Sequence, residues 1–92
     1  MREPTIIADL SSYDYPRFRE LDPALPETYA AWTHTTGEQL RALRARGIEV
    51  VLYPITFDDF ETTMGILHTG SFDAATRNRY AADMAAADRS LP

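Results

Sequence analysis

The chain has 92 residues, enough for one domain with a modest core, because a protein of this size buries roughly 60–65 % of the surface that its unfolded chain exposes. A hydrophobic fraction of 45 % argues against disorder, and a net charge of −5 argues against non-specific binding to nucleic acid or an anionic membrane, since both need a basic surface. The absence of cysteine excludes disulfides, thiolate zinc sites and cysteine nucleophiles.

All nine basic residues are arginine, a bias that is typical of a GC-rich bacterial genome. No stretch has the apolar core of a signal peptide, and no run approaches the ~18 apolar residues that a membrane helix needs. We therefore expect a soluble, cytoplasmic bacterial protein with no nucleic-acid or membrane partner, folded as a single domain over residues 1–92.

The N-terminal quarter predicts one strand followed by a long loop. Residues 5–10 are rich in β-branched and apolar side chains, and Ile6, Ala8 and Leu10 share one face of the predicted strand. Residues 11–26 hold three of the six prolines and predict irregular structure. This loop is expected to be ordered because its aromatic side chains are too apolar to remain in water.

Residues 26–46 predict an amphipathic helix that Gly47 ends. The apolar stripe recurs at steps of three and four, at Tyr29, Trp32, Thr36, Leu40 and Leu43. Gly37 and the β-branched residues before it weaken the middle of this segment, so two shorter helices are the alternative. We favour one helix, straight or kinked, because the stripe keeps its phase across the weak segment.

Residues 48–55 predict the second strand. Both of its faces are largely apolar, which indicates burial on two sides, as in a parallel α/β layer. Pro54 has no N–H group to donate to a ladder, so it is expected near the end of the strand or on an unpaired edge.

A second helix follows this strand, from Thr56 to Gly70. Thr56 and Asp59 have the spacing of an N-terminal capping box, and Ile55 and Phe60 have that of a hydrophobic staple. The predicted inward stripe consists of Phe57, Phe60, Met64 and Leu67.

A third helix is predicted from Ser71, as its N-cap, to about Arg89. Its buried face is expected to carry Phe72, Thr76, Tyr80, Met84 and Ala87. Asp73 with Arg77, and Arg79 with Asp83, are four residues apart and predict ion pairs on the exposed side.

These elements define a small α/β domain in the order β-loop-α-β-α-α, with α+β as the alternative class. Only two strands are predicted, and a two-stranded sheet is marginal on its own. The sheet is therefore expected to be extended or covered by a second copy of the chain.

The acidic group Asp58, Asp59 and Glu61 resembles a metal or acid–base site. Carboxylates in the first turn of a helix are, however, stabilised by its free N–H groups and dipole. We interpret these residues as capping and solvated charge, and we predict no metal, no cofactor and no catalytic residue.

Neither histidine is in a diagnostic pattern. His34 lies off the apolar stripe and is expected at the surface beside Glu38, while His68 falls in the last turn of its helix, where a cation is favoured. Both are interpreted as structural.

The aromatic loop is the best candidate for a contact surface. Tyr13, Tyr15 and Phe18 either fill the core of their own chain or dock on a second copy, and Arg17 and Arg19 flank Phe18. Aromatic residues and arginine are enriched in interface cores. We assign these five residues as the predicted interface of a homodimer.

The leading hypothesis is therefore a small interaction or accessory protein, not an enzyme, that self-associates through the aromatic loop or a strand edge. The alternative is a small-ligand-binding protein or minor enzyme with a site at the carboxyl end of the strand 48–55, where ligands collect in open α/β sheets. That site would use Tyr53, Thr56, Asp59, His34 and His68.

Overall fold

The computed structural model describes residues 4–67 and 72–90. Its element order is β-α-α-β-α-α: β1 (Thr5–Asp9), α1 (Tyr15–Leu21), α2 (Tyr29–Ala45), β2 (Val50–Pro54), α3 (Phe57–Leu67) and α4 (Ala74–Ser90). This is a small α/β fold, as predicted.

The two strands pair in parallel and form one sheet, with Thr5 opposite Val50 and Asp9 opposite Pro54. Pro54 is the last residue of β2, as its missing N–H group predicts. Because successive side chains point to opposite faces, the sheet has an apolar surface on both sides.

Each face of the sheet has its own core. The smaller core lies under α2 and contains Ile7, Leu40 and Val50. The larger core lies on the other face, where α4 packs mainly on β1, and it also collects apolar side chains of α1, of α3 and of the start of α2. Its buried residues are Ala8, Leu10, Tyr15, Phe18, Leu25, Trp32, Ile55, Phe57, Phe60, Tyr80 and Ala81.

The segment 11–26 is not the irregular loop that its prolines predict, because it contains α1. Pro16 lies in the first turn of this helix, where a proline is tolerated because the first N–H groups have no partner inside the helix. Tyr15 and Phe18 are three residues apart, so one face of the short helix buries both in the larger core.

Helix α2 is one continuous helix, as we favoured. The Thr28 hydroxyl accepts the Ala31 N–H at its start. At its end Gly47 has a φ of 79°, and Ile48 N–H donates to the Leu43 carbonyl, which is a Schellman motif. The glycine is required there because the left-handed conformation strains other residues.

Helix α3 begins after Thr56, whose hydroxyl accepts the Asp59 N–H at 3.3 Å, and the predicted cap is confirmed. Phe57 and Phe60 are buried as predicted and Met64 is partly buried. The predicted end at Gly70 lies outside the described residues, as does Ser71.

The predicted face of the last helix is wrong in part. α4 begins at Ala74 and Asp73 caps it, since its carboxylate accepts the Thr76 N–H at 3.0 Å. Tyr80 is buried as predicted, but Met84 and Ala87 are exposed. The helix instead buries a face made of small residues, Ala81 and Ala85, together with Arg77.

Arg77 explains this rotation of α4. The residue is buried, and its guanidinium pairs with the Asp22 carboxylate at 2.7 Å and donates to the Phe72 carbonyl at 3.0 Å. The predicted exposed position of Arg77 is therefore wrong. A buried arginine is tolerated here because a carboxylate and a carbonyl satisfy it.

Candidate functional site

The polar residues proposed as a ligand site do not converge. His34 is exposed and pairs with Glu38 at 2.7 Å, as predicted, and the Tyr53 hydroxyl donates to the Asp88 carboxylate on the α4 side of the sheet. Thr56 caps α3 and Asp59 is exposed. His68 lies outside the described residues.

The acidic residues after Thr56 have structural partners. Asp58 pairs with Arg17 of α1 at 2.9 Å, and the Arg17 guanidinium lies 4.1 Å from the centre of the Phe57 ring. The leading N–H of α3, that of Phe57, is capped from another helix, because the Asp14 carboxylate accepts it at 3.0 Å. Within residues 4–67 and 72–90, no group of three or more histidine or acidic side chains could hold a metal ion.

The predicted interface residues separate into two groups. Tyr15 and Phe18 are buried in the core of their own chain and cannot present a surface to a second copy. Tyr13 is 87 % exposed, and Arg17 and Arg19 are at least partly exposed. The aromatic loop thus leaves Tyr13 as its one aromatic side chain at the surface.

One edge of β2 is open. Two hydrogen bonds at the ends of the ladder show which backbone groups of β2 face β1. The Thr5 N–H donates to the Glu49 carbonyl at 2.9 Å, and the Ile55 N–H donates to the Asp9 carbonyl at 3.2 Å. The odd-numbered residues of β2 bond to β1, so the backbone groups of Val50, Leu52 and Pro54 face away from it. In the part of the chain that the structure describes, the outward N–H and carbonyl of Leu52 have no partner.

The opposite edge, that of β1, is bonded by α4 at one position. The outward N–H of Ala8 donates to the side-chain oxygen of Asn78 on α4 at 2.9 Å. Because α4 is displaced toward β1, it leaves Val51 of β2 38 % exposed on the same face. A groove of about 340 Å³ runs between α4 and β2, along Ile6, Val51 and Tyr53.

A second cavity, of about 190 Å³, lies between α2 and the carboxyl end of the sheet. Asp9 and Leu52 contribute to it from the strands. Its other walls come from one side of α2: Trp32, Thr33, Thr36, Gly37 and Leu40.

Asp9 has the clearest electrostatic perturbation near this cavity. Burial raises the pKa of its carboxyl group above the ordinary value of 3.8, because removal from water disfavours the charged form. Neither this carboxylate nor the hydroxyl of Thr36 has a hydrogen-bond partner among residues 4–67 and 72–90. The hydroxyl belongs to a residue that is only 9 % exposed.

Asp9 and Leu52 were missed by sequence reasoning. The available signal for Asp9 was a lone acidic residue that ends a strand, at the edge where parallel sheets bind ligands. No signal existed for Leu52, since only the strand register determines which residues of β2 have outward backbone groups.

Comparisons of this chain with protein-family models, with curated proteins and with solved structures find no match. Among the described helices, none has both the length and the apolar character required to span a membrane. The fold and the geometry of its surfaces are therefore the basis for a functional assignment.

Proposed function

We propose that this chain is a self-associating interaction protein, and that the open edge of β2 is the surface through which two copies pair. The observation that carries the proposal is the asymmetry of the sheet. Asn78 of α4 occupies the outward N–H of Ala8 on the β1 edge, whereas among the described residues Leu52 of β2 keeps a free donor and a free acceptor beside the exposed Val51. An uncovered edge of this kind favours pairing with another strand.

A twofold axis at Leu52 produces a self-complementary antiparallel pairing. Leu52 of each copy then donates to and accepts from Leu52 of the other, and the N–H of Val50 donates to the carbonyl of Pro54. The carbonyl of Val50 faces the nitrogen of Pro54, which has no hydrogen. That carbonyl already accepts a bond from the Arg44 guanidinium at 3.2 Å in its own chain, so the register leaves no backbone group unpaired.

Side chains also fit this register. Val51 of one copy lies opposite Tyr53 of the other on the α4 face, a β-branched and aromatic pair that stabilises antiparallel sheets. On the α2 face, Leu52 of one copy lies opposite Leu52 of the other. The grooves beside α4 in the two copies would join, and the exposed part of Val51 would be covered.

The test is a single cysteine at position 52, in a chain that otherwise has none. Across a twofold axis at Leu52 the two Cα atoms would lie about 5.5 Å apart, within the range of a disulfide. We expect Leu52→Cys to form a covalent dimer rapidly on mild oxidation. The wild-type chain should sediment near twice its mass of 10.4 kDa.

Thr5→Cys is the matched control, because Thr5 is exposed on the other strand. It should crosslink slowly, through random collision. Val51→Lys should return the sedimenting mass to that of one chain while Val51→Thr should not, since only the lysine places a charge at the centre of the contact. A wild-type mass near 10.4 kDa, or equal crosslinking of the two cysteine variants, would contradict the proposal.

We assign the protein to the bacterial cytoplasm as part of the same proposal. The support is compositional: nine arginines without lysine, and no cysteine in the chain. The net charge of −5 disfavours nucleic acid as a partner.

A further inference from the structure

We infer that the cavity between α2 and the carboxyl end of the sheet binds a small organic cation, a primary amine with a short apolar chain. Its ammonium group would lie between the Asp9 carboxylate and the Thr36 hydroxyl. The lining residues all belong to one chain, so the inference does not depend on self-association.

Charge is the first argument. Asp9 is half-buried and lines the cavity, and its carboxylate has no cationic or hydrogen-bonding partner in the described parts of the chain, 4–67 and 72–90. A carboxylate withdrawn from water without a partner is destabilised, so a ligand that carries a positive charge gains more here than at an exposed acid.

The buried hydroxyl of Thr36 is the second argument. Most hydroxyls in protein interiors make a hydrogen bond. Thr36 as a residue is 9 % exposed and lines the same cavity, and its hydroxyl has no partner within residues 4–67 and 72–90. A hydroxyl oxygen can accept a hydrogen bond from an ammonium group, more weakly than a carboxylate does. Of these two acceptors, the Asp9 carboxylate carries a negative charge and favours a ligand that donates hydrogen bonds and carries a positive charge.

The apolar walls and the volume limit the rest of the ligand. Trp32, Leu40 and Leu52 supply apolar contact for a hydrocarbon chain. About 190 Å³ is below the ~300–1,000 Å³ of sites for drug-sized ligands, so a short amine fits and a nucleotide does not.

The inference is tested by NMR titration with n-butylammonium, with butyrate and n-butanol as probes of the same length and different charge. Trp32 is the only tryptophan, so its indole N–H resonance reports on the cavity without ambiguity. We expect saturable shifts of this resonance and of the Thr36 and Gly37 amides in the millimolar range with the amine alone.

Asp9→Asn should weaken the amine affinity at least about tenfold, because the amide keeps the shape and removes the charge. Glu38→Gln, which neutralises an exposed acid on α2, should leave it unchanged. Gly37→Leu is the second variant. A Cβ at Gly37 would meet the Arg41 side chain at 3.7 Å, which is an ordinary contact, so the variant chain should fold. The leucine side chain should then obstruct the cavity.

Equal shifts in the wild type and in Asp9→Asn would overturn the inference. Butyrate or n-butanol shifts as large as those of the amine would also overturn it, as would shifts that do not saturate. Thermal unfolding of each variant, followed by circular dichroism, establishes that a loss of binding occurs in a folded chain.

Discussion

Arg77 and Asp22 form the most buried ion pair among the described residues, with side chains only 6 % and 13 % exposed. Removing one member leaves the other charged and unpaired in a region of low dielectric constant. We expect Arg77→Met to lower the free energy of unfolding by about 3–5 kcal/mol, a large part of the ~5–15 kcal/mol that stabilises a domain. Urea denaturation measures this change.

The control for Arg77→Met is an exposed pair. Asp58, whose side chain is 80 % exposed, pairs with Arg17, and Asp58→Asn should cost less than about 1 kcal/mol because water and salt screen such pairs. The double variant Asp22→Asn with Arg77→Met should be more stable than Arg77→Met alone, since it leaves no buried charge. Equal losses for Arg77→Met and Asp58→Asn would show that burial does not strengthen the pair.

Asp9 has the opposite effect on stability, because its charge has no partner in the parts of the chain that the structure describes. Burial raises the pKa of Asp9 in the folded state above its ordinary value of 3.8, so the folded chain binds a proton more readily than the unfolded one. The charged Asp9 carboxylate therefore lowers the free energy of unfolding. This loss is at its full size above the folded pKa of Asp9 and disappears as the pH falls below 3.8.

Asp9→Asn should consequently raise the free energy of unfolding at pH 7. The gain over wild type should shrink as the pH falls through the folded pKa of Asp9 and vanish below its ordinary value of 3.8. Urea denaturation of both proteins at a series of pH values measures the difference. A gain that stays constant with pH would mean that the carboxylate charge is not its cause.

At the scale of elements, helix α3 depends on α1 for its beginning. Asp14 is the N-cap residue of α1 but makes no side-chain cap bond there. Its carboxylate accepts the Phe57 N–H instead, and the neighbouring pair of Arg17 and Asp58 holds the two helices together. The short helix in the predicted loop thus completes the first turn of a helix some forty residues later.

Asp14→Ala should lower the free energy of unfolding by about 1 kcal/mol, the usual cost of losing an N-cap acceptor. Asp14→Asn should cost less, because the amide oxygen can still accept the Phe57 N–H. Chemical denaturation of the three proteins provides the comparison. Equal losses for the alanine and asparagine variants would indicate that the charge of Asp14, rather than this hydrogen bond, stabilises the helix.

At the scale of the whole molecule, the arrangement of α4 connects the fold to the proposed association. A helix about 10 Å wide can cover roughly two strands, which are ~4.8 Å apart. α4 is nevertheless shifted toward β1, where Asn78 satisfies the outward N–H of Ala8, and α4 leaves Val51 of β2 exposed. Pairing two copies at β2 would produce a four-stranded sheet with helices on both faces and no exposed central edge.

Arg44 and Pro54 would restrict the proposed pairing to one register. Both are features that commonly protect a sheet edge, since a proline cannot donate and a charged side chain occupies an acceptor. A shift of the partner strand by two residues would place Pro54 opposite Leu52, whose carbonyl would lose its donor. The two residues therefore oppose uncontrolled pairing and favour the register centred on Leu52.

The sequence by itself determined the local elements of this protein: both strands, the continuous helix α2 with Gly47 at its end, and the Thr56 cap of α3. Those features depend on hydrophobic spacing and on backbone rules that act within a few residues. Helix α1 was missed because three prolines mask a short amphipathic segment, and a proline in a first helical turn is compatible with a helix.

Only the tertiary structure decided which polar groups are buried, paired or open. Arg77 meets Asp22 across 55 positions, and Asp14 meets Phe57 across 43. Asp9 and Thr36 come to one cavity from a strand and a helix. Contacts at such separations depend on how the elements pack and pair, and the strand register determines that the backbone groups of Leu52 face away from β1.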